Sequence, residues 1–303
     1  MIYESIQKLN HQFSPFHFCL GGGNFDWTVD REMTSVLLNQ YTSAGGNFVD
    51  TSDSYGNSEV FIGSHKFAEK PFIATKVGDK KGFSSLSATN ISSSIIKSLD
   101  RLSVNKVDLY FAHKDDPNLT IEEIYHNFLV LYEQDLIAYA GISNFSEQRL
   151  FELLSYQRKY GKDIFQLVSY GYSLADRKNF ETNFLPILRE FAIPLMPFFP
   201  LAKGFLAKDY SYFSSKKQHA AAHGGTGNLE YRSKDNFALK KRLNKLARQL
   251  GVTPQEIALA FVNSRDFVFI PIAGARLLNQ LSELLTNVPL DKSDLLYLLK
   301  DSD

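Results

Sequence analysis

An α/β chain whose strands close into a single (β/α)8 barrel is what the sequence predicts, and two observations carry that prediction. Eight short apolar runs alternate with stretches of helical period along nearly all of the 303 residues. Asp50, Lys76 and His113 stand where the second, third and fourth of these runs give out, with the phenol of Tyr55 five residues beyond Asp50. That is the face on which such barrels gather functional groups, and because a barrel takes about 250 residues as one unit, residues 1–303 are expected to form one domain.

Taken in order, residues 5–15 alternate loosely around Asn10-His11 and read as a small hairpin, and residues 16–20 read as the first core strand. Gly21-Gly22-Gly23 follows, a run that lets backbone approach a ligand closely but lacks both the dinucleotide spacing and the lysine of a phosphate loop. Met33, Val36, Leu37 and Tyr41 have helical period and end at the glycine stop Ala44-Gly45-Gly46. The second strand, Asn47-Phe48-Val49, runs out at Asp50 into a polar, glycine-bearing loop. A helix over 60–67, a strand over 72–75, a helical stripe of Ile91, Ile95, Leu99 and Leu102, and a strand over 107–111 repeat the pattern. Thr120-Ile121-Glu122-Glu123 is a capping box that starts a helix through Ile124, Phe128 and Leu131. The fifth strand covers 138–142, Ser146 caps the helix carrying Leu150, Leu153 and Leu154, and the sixth strand covers 164–168. Residues 184–191 read as helix and 193–198 as the seventh strand.

Between residues 203 and 236 the periodicity disappears, and the stretch from Ala220 to Gly227 is rich in alanine and glycine. A long loop after strand 7 inside a compact domain is expected to be a lid or binding loop, here a flap over a cofactor. Thr253-Pro254-Gln255-Glu256 joins a capping box to a proline at the first helical position, ahead of a helix through Ala260. Residues 267–271 read as the eighth strand, followed by a helix through Leu281 and an extra C-terminal helix over 295–299.

Composition narrows the function. Hydrophobic residues make up 44% and charged residues 22%, which suits one sizeable core. Lys plus Arg equals Asp plus Glu at 33 each and no long basic stripe appears, so nucleic acid is not an expected partner. The one cysteine, Cys19, excludes an internal disulfide and suits a reducing compartment. Met1-Ile2-Tyr3-Glu4-Ser5 lacks the layout of a secretory leader, and the longest apolar run, 191–202, carries three prolines and falls short of the ~20 residues that span a bilayer. A cytoplasmic protein without a membrane segment is expected. No histidine pair has helical ligand spacing, so no metal is expected, and no Gly-x-Ser-x-Gly elbow points to a hydrolase.

Singly, each polar group at a strand end has an ordinary structural explanation. Asp50-Thr51-Ser52-Asp53 can be turn chemistry, Lys76 a solvated strand end, Tyr55 a core aromatic with a wet tip and His113 a buried, hydrogen-bonded imidazole. Jointly they say more. A phenol with a pKa near ~10 becomes a useful proton donor when a neighbouring positive charge lowers it, so Tyr55 asks for a lysine.

Phe48-Val49-Asp50-Thr51 with Tyr55-Gly56-Asn57-Ser58-Glu59, then Ala74-Thr75-Lys76, His113-Lys114-Asp115-Asp116-Pro117 and Gly141-Ile142-Ser143-Asn144-Phe145 resemble, in order, the successive signatures of the aldo-keto reductases. The resemblance implies a TIM barrel that moves hydride between NADPH (NADP+) and the carbonyl of an aldehyde, ketone or sugar. It assigns Tyr55 as general acid, Lys76 as the charge that lowers the phenol's pKa, Asp50 as the group that holds the ammonium, and His113 as a hydrogen-bond donor to the substrate oxygen. It puts Ser143 and Asn144 on the nicotinamide carboxamide, with Ser169 where a glutamine is common, and Phe198 where a tyrosine often stacks on the ring; Phe199 stands where a serine is usual. Gly23, Asn24, Leu201, Gly274, Arg276, Gln280 and Glu283 complete the implied cofactor site, although the family's adenine segment often has arginine at the position of Gln280 and asparagine at that of Leu284. Arg276 can grip a 2′-phosphate through paired hydrogen bonds, which favours NADPH over NADH. Trp27 is the expected wall of a substrate pocket shaped by the loops around residues 25–27, 79–83, 114 and 203–236, with Tyr55 and His113 reaching the substrate. Two alternatives stay open: a cofactor-binding regulatory subunit like the beta subunits of voltage-gated potassium channels, and an aldose dehydrogenase working in the oxidative direction.

Overall fold

A strand covered on both faces needs no polar alternation, so short apolar runs fold here as buried parallel strands. In a computed structural model, which describes residues 2–79, 85–207 and 228–300, seven strands appear among the described residues. These are β1 (Cys19–Gly21), β2 (Phe48–Asp50), β3 (Phe72–Val77), β4 (Val107–Ala112), β5 (Ile137–Ser143), β6 (Phe165–Ser169) and β7 (Ile272–Ala273). All pairings are parallel, in the order β6-β5-β4-β3-β2-β1-β7. The sheet curls into the expected α/β barrel.

Parallel neighbours need crossover connections, and helices supply them. α1 (Ile2–Phe13) precedes the sheet; α2 (Arg31–Ser43), α3 (Ser58–Ser64), α4 (Ala88–Leu102), α5 (Ile121–Glu133) and α6 (Glu147–Tyr160) follow β1 to β5 in turn. α7 (Arg177–Asn183) and α8 (Leu185–Phe191) follow β6, α9 (Lys234–Leu250) and α10 (Pro254–Asn263) precede β7, and α11 (Leu278–Ser282) and α12 (Lys292–Leu299) end the described chain. The capping boxes at Thr120 and Thr253 are formed, and Ser146 accepts from Arg149 N at 3.3 Å. No described helix is long and apolar enough to cross a membrane.

The seventh expected strand lies in place without becoming a ladder. Residues 195–198 are joined to β6 and the residues after it by the bridges Val168↔Leu195 and Gly171↔Phe198, and to the last strand's side by Leu195↔Val268 and Phe198↔Ile272. Pro194, Pro197 and Pro200 carry no N–H, so pairing breaks into single bridges. The donors that remain are used: Leu195 N donates to Phe267 O and Met196 N to Val168 O, both at 2.8 Å. The eighth expected strand is displaced, with β7 beginning at Ile272 just beyond the expected 267–271.

The expectation for 203–236 needs correcting at its ends. Residues 202–204 make a 3-10 turn, 229–231 another, and α9 begins at Lys234 behind the cap Ser233. Residues 208–227 of the expected flap, and 80–83 of the expected pocket loop, lie outside the described residues. α9 buries Leu239, Leu243, Leu246 and Ala247, a stripe of helical period.

The expected hairpin over 5–15 is instead α1, whose buried residues Ile2, Ile6, Leu9 and Phe13 recur at helical spacing. Leu9 and Phe13 reach an apolar cluster inside the ring with Cys19, Phe48, Ala74, Leu109, Phe111, Leu167 and Met196, while a larger cluster lies between sheet and helices. Strand residues alternate between these two layers. The Phe13 ring meets Phe72 at 4.8 Å and Phe48 at 5.5 Å, the first residues of β3 and β2, so α1 plugs the end of the barrel where strands begin. Phe13→Ala is expected to lower the free energy of unfolding by about 3–5 kcal/mol in urea titrations. A loss below about 1 kcal/mol would show that the plug adds little.

Candidate active site

Parity within the strands decides what faces inward at the other end of the barrel. Phe48 belongs to the inner layer, and so Asp50 does too; Ala74 leads in the same way to Lys76, Phe111 to His113 and Leu167 to Ser169. Gly141 sits in this layer as well, where an added Cβ would lie 2.3 Å from the Phe111 ring. Two residues on is Ser143. The polar groups therefore form a tier directly above the apolar filling.

Lys76 donates to Asp50 Oδ1 and, at 2.8 Å, to Thr51 O. Both side chains are almost wholly buried. Burial pulls the ammonium's pKa down, but the facing Asp50 carboxylate and the Tyr55 phenol outweigh it and leave Lys76 above the ordinary lysine value. Burial pushes the Asp50 carboxyl up, and Lys76 draws it only part of the way back. A cation that keeps its proton in the interior is the outcome.

Tyr55 stands in the loop between β2 and α3. Asp26 anchors that loop by accepting from Asn57 N at 2.8 Å and Asn57 Nδ2 at 2.9 Å. Gly56 is required at the contact: its φ is +56°, and a Cβ would meet Asp26 Oδ2 at 2.6 Å. The Lys76 ammonium lies 5.2 Å from the Tyr55 ring centre, and the hydroxyl lies 3.4 Å from His113 Nε2. Lys76 acts on the phenol in the expected sense, lowering its pKa, but burial acts more strongly in the other. Burial pushes the Tyr55 pKa above the ordinary phenol value; Lys76 opposes that, as its charge must, without cancelling it.

His113 follows β4 directly. Its backbone N donates to Val77 O at 2.8 Å, and its carbonyl accepts from Asn144 Nδ2 at 2.9 Å. Asn144 has φ +55° and also donates to Ser143 Oγ at 3.0 Å. Ser143 pairs in register with Ser169, whose buried hydroxyl has no hydrogen-bond partner among the described residues. A buried orphan hydroxyl beside a strand-end serine and asparagine suits a polar ligand such as a carboxamide. The residues present thus fit a nicotinamide.

Phe198, half-buried, bridges Gly171 and Ile272, with the Phe199 ring 4.9 Å away and perpendicular. Leu201 is half-buried in the next turn. Pairing of β1 with β7 brings Gly274 against the turn that contains Gly23 and Asn24: a Cβ on Gly274 would lie 3.2 Å from Gly21 O and 3.3 Å from Asn24 Nδ2. Arg276 is half-exposed and has no ion pair among the described residues, while its backbone N donates to Gln280 Oε1 at 2.9 Å. Glu283 accepts from Gln255. Gln280 therefore braces the β7–α11 connection, and Glu283 ties the end of α11 to α10. Trp27 is 46% exposed in the loop after β1. A groove of about 510 Å³ lined by Gln12, Lys106, Asp135, Tyr139 and Lys162 lies at the opposite end, with both lysines paired to acids, and takes no part in the site.

Sequence reasoning missed Asp26 and Ser52. Asp26 falls inside the expected pocket loop 25–27, but its anchoring of Asn57 depends on a left-handed backbone, φ +66°, that no composition announces. Ser52 lay inside the Asp50-Thr51-Ser52-Asp53 stretch and was read as turn chemistry.

A family model described as the aldo/keto reductase family matches residues 17–299. Among known proteins, norsolorinic acid reductase B of Dothistroma septosporum is 26% identical over 287 residues, covering 87% of this chain and 71% of that protein. A probable aryl-alcohol dehydrogenase of Saccharomyces cerevisiae is 26% identical over 274 residues, 84% of this chain and 83% of its own. A probable aldo-keto reductase of Glycine max is 28% identical over 282 residues, 88% and 78% respectively.

The upward shift of the Tyr55 phenol can be read without any ligand. The ultraviolet difference between wild type and Tyr55→Phe, followed through an alkaline titration, should show no ionisation below pH ~10, the value of a free phenol. A midpoint clearly below that would mean that Lys76 prevails over burial.

Proposed function

The chain belongs to the aldo/keto reductase family, an oxidoreductase family acting on carbonyls, and on that premise we propose that it is a cytoplasmic enzyme, one barrel domain, reducing a small aldehyde, ketone or sugar with NADPH. One observation supports this most: the Tyr55 hydroxyl lies 3.4 Å from His113 Nε2 with its ring beside a buried Lys76 that Asp50 holds. A bound nicotinamide cofactor supplies the hydride. The protein's share is proton and position. Tyr55 O–H and His113 Nε2–H would both donate to the carbonyl oxygen, and Tyr55 would release its proton as that oxygen gains charge. Lys76 stabilises the phenolate left behind, and Asp50 keeps the ammonium within reach.

By microscopic reversibility the Tyr55 that gives its proton in reduction takes one back in alcohol oxidation, so the aldose dehydrogenase reading uses the same site in the opposite direction. Ser143, Asn144 and Ser169 would hold the carboxamide and Phe198 would stack on the ring. Gly23, Asn24, Leu201, Gly274, Arg276, Gln280 and Glu283 would hold the remainder. Trp27 would wall the substrate pocket. The name of one relative, a probable aryl-alcohol dehydrogenase, puts aryl carbonyls first in a substrate panel.

Tyr55→Phe keeps the ring and removes the acid. Turnover of an aryl aldehyde should fall by about 10² or more while fluorescence titration still shows NADPH binding; unchanged turnover would overturn the assignment. Arg276→Ala should weaken NADPH by about 10- to 150-fold, the equivalent of a charge-assisted contact of roughly 1.5–3 kcal/mol, and leave NADH little changed. Equal losses for both cofactors, or none for either, would remove the 2′-phosphate role from Arg276.

A further inference from the structure

Both ring nitrogens of His113 have neighbours. Nε2 faces the Tyr55 hydroxyl at 3.4 Å, and Nδ1 lies 3.0 Å from the Ser52 hydroxyl, which is fully buried. A neutral imidazole carries one N–H and one lone pair, so whatever occupies Nδ1 decides what Nε2 offers to the site. The Ser52 hydroxyl has one hydrogen and three places to send it: His113 Nδ1, Ser54 Oγ at 2.9 Å, or Lys76 O at 3.4 Å. Lys76 O is the most distant and already accepts from Asp53 N at 3.1 Å. Ser54 N donates to Ser52 Oγ at 3.2 Å, and the Ser54 hydroxyl can donate to the same oxygen, filling its lone pairs. With the Ser54 hydroxyl donating in this way, His113 Nδ1 at 3.0 Å is the nearest acceptor for the Ser52 hydrogen.

We propose that Ser52 is a positioning residue that donates its hydroxyl hydrogen to His113 Nδ1 and so holds the imidazole in the Nε2–H tautomer, the form that presents a donor beside the Tyr55 hydroxyl. The inference rests on the reading of His113 as a donor to the substrate oxygen. In the opposite tautomer Nε2 would turn a lone pair towards the carbonyl oxygen, and one of the two converging donors would be lost. Turning the ring over would break its contact with Ser52 and disturb its perpendicular packing on the Tyr55 ring, whose centre lies 5.6 Å away. Ser52 acts through His113 and does not itself touch the substrate.

Histidine-labelled NMR of the whole protein, with the His113 signals identified by their loss in His113→Gln, reads the tautomer directly. Wild type should show Nε2 protonated and Nδ1 bare, Ser52→Ala a mixture of both, and Ser52→Thr the wild-type pattern. With benzaldehyde and NADPH, Ser52→Ala should lower kcat about tenfold with a smaller change in KM, and Ser52→Thr should recover most of the loss. An Nδ1–H tautomer in wild type, an unchanged tautomer in Ser52→Ala, or a mixed tautomer with undiminished kcat would each overturn the role of Ser52. Full turnover in His113→Gln would instead sink the reading of His113, and the tautomer measurement would still decide whether Ser52 sets the proton's place.

Discussion

A lysine ammonium shut inside a barrel against a single carboxylate is the constraint on which the rest of this structure depends. Removing two charges from water costs several kcal/mol per ion, and mutual attraction offsets that only when geometry and further hydrogen bonds are good. Asp50 supplies the counter-charge, Thr51 O a second acceptor, and the Tyr55 ring a face 5.2 Å away that favours a cation. Three of the four groups come from one short stretch, 50–55, and Lys76 comes from the neighbouring strand. The strand-to-loop transition at Asp50 therefore serves the charge pair and the phenol together.

The imidazole is fixed from a different direction. Arg149, in α6, donates to both Asp115 oxygens at 3.0 and 2.9 Å and to the carbonyls of Asp116 and Leu119 at 3.2 and 3.0 Å. It thereby pins the loop that begins at His113. Asn144, a few residues before Arg149, takes hold of the His113 carbonyl itself. The segment opening α6 thus supports one proposed donor to the substrate oxygen while presenting the groups assigned to the carboxamide.

Much of this was legible in the sequence where one rule sufficed. Alternation from Phe48 to Asp50 and from Ala74 to Lys76 puts those side chains on the inner face, and the caps at Thr120, Ser146 and Thr253 follow from local hydrogen bonding. It failed where two effects compete. The Tyr55 shift depends on burial against charge, and the sequence shows the charge alone. α1 was misread because a helix of mostly polar residues, with four buried ones, resembles loose alternation when the barrel end it plugs is not in view. The bonds of Gln280 to Arg276 N and of Glu283 to Gln255 were not legible, because they join residues that only the folded chain brings together.

The prolines at 194, 197 and 200 have a mechanical consequence. Six joints of the ring are ladders, longest between β3, β4 and β5, whereas each of the two joints flanking residues 195–198 is a pair of isolated bridges. Pairing at this seam is interrupted, whereas β3, β4 and β5 are joined by the longest ladders, so breathing of the wall is expected at the seam rather than in that arc. Phe198 lies in the seam and Ser169 at its edge, while Lys76 and His113 belong to the stiff arc across the ring. The molecule can loosen its grip on one end of a ligand while its proton-handling groups stay in register.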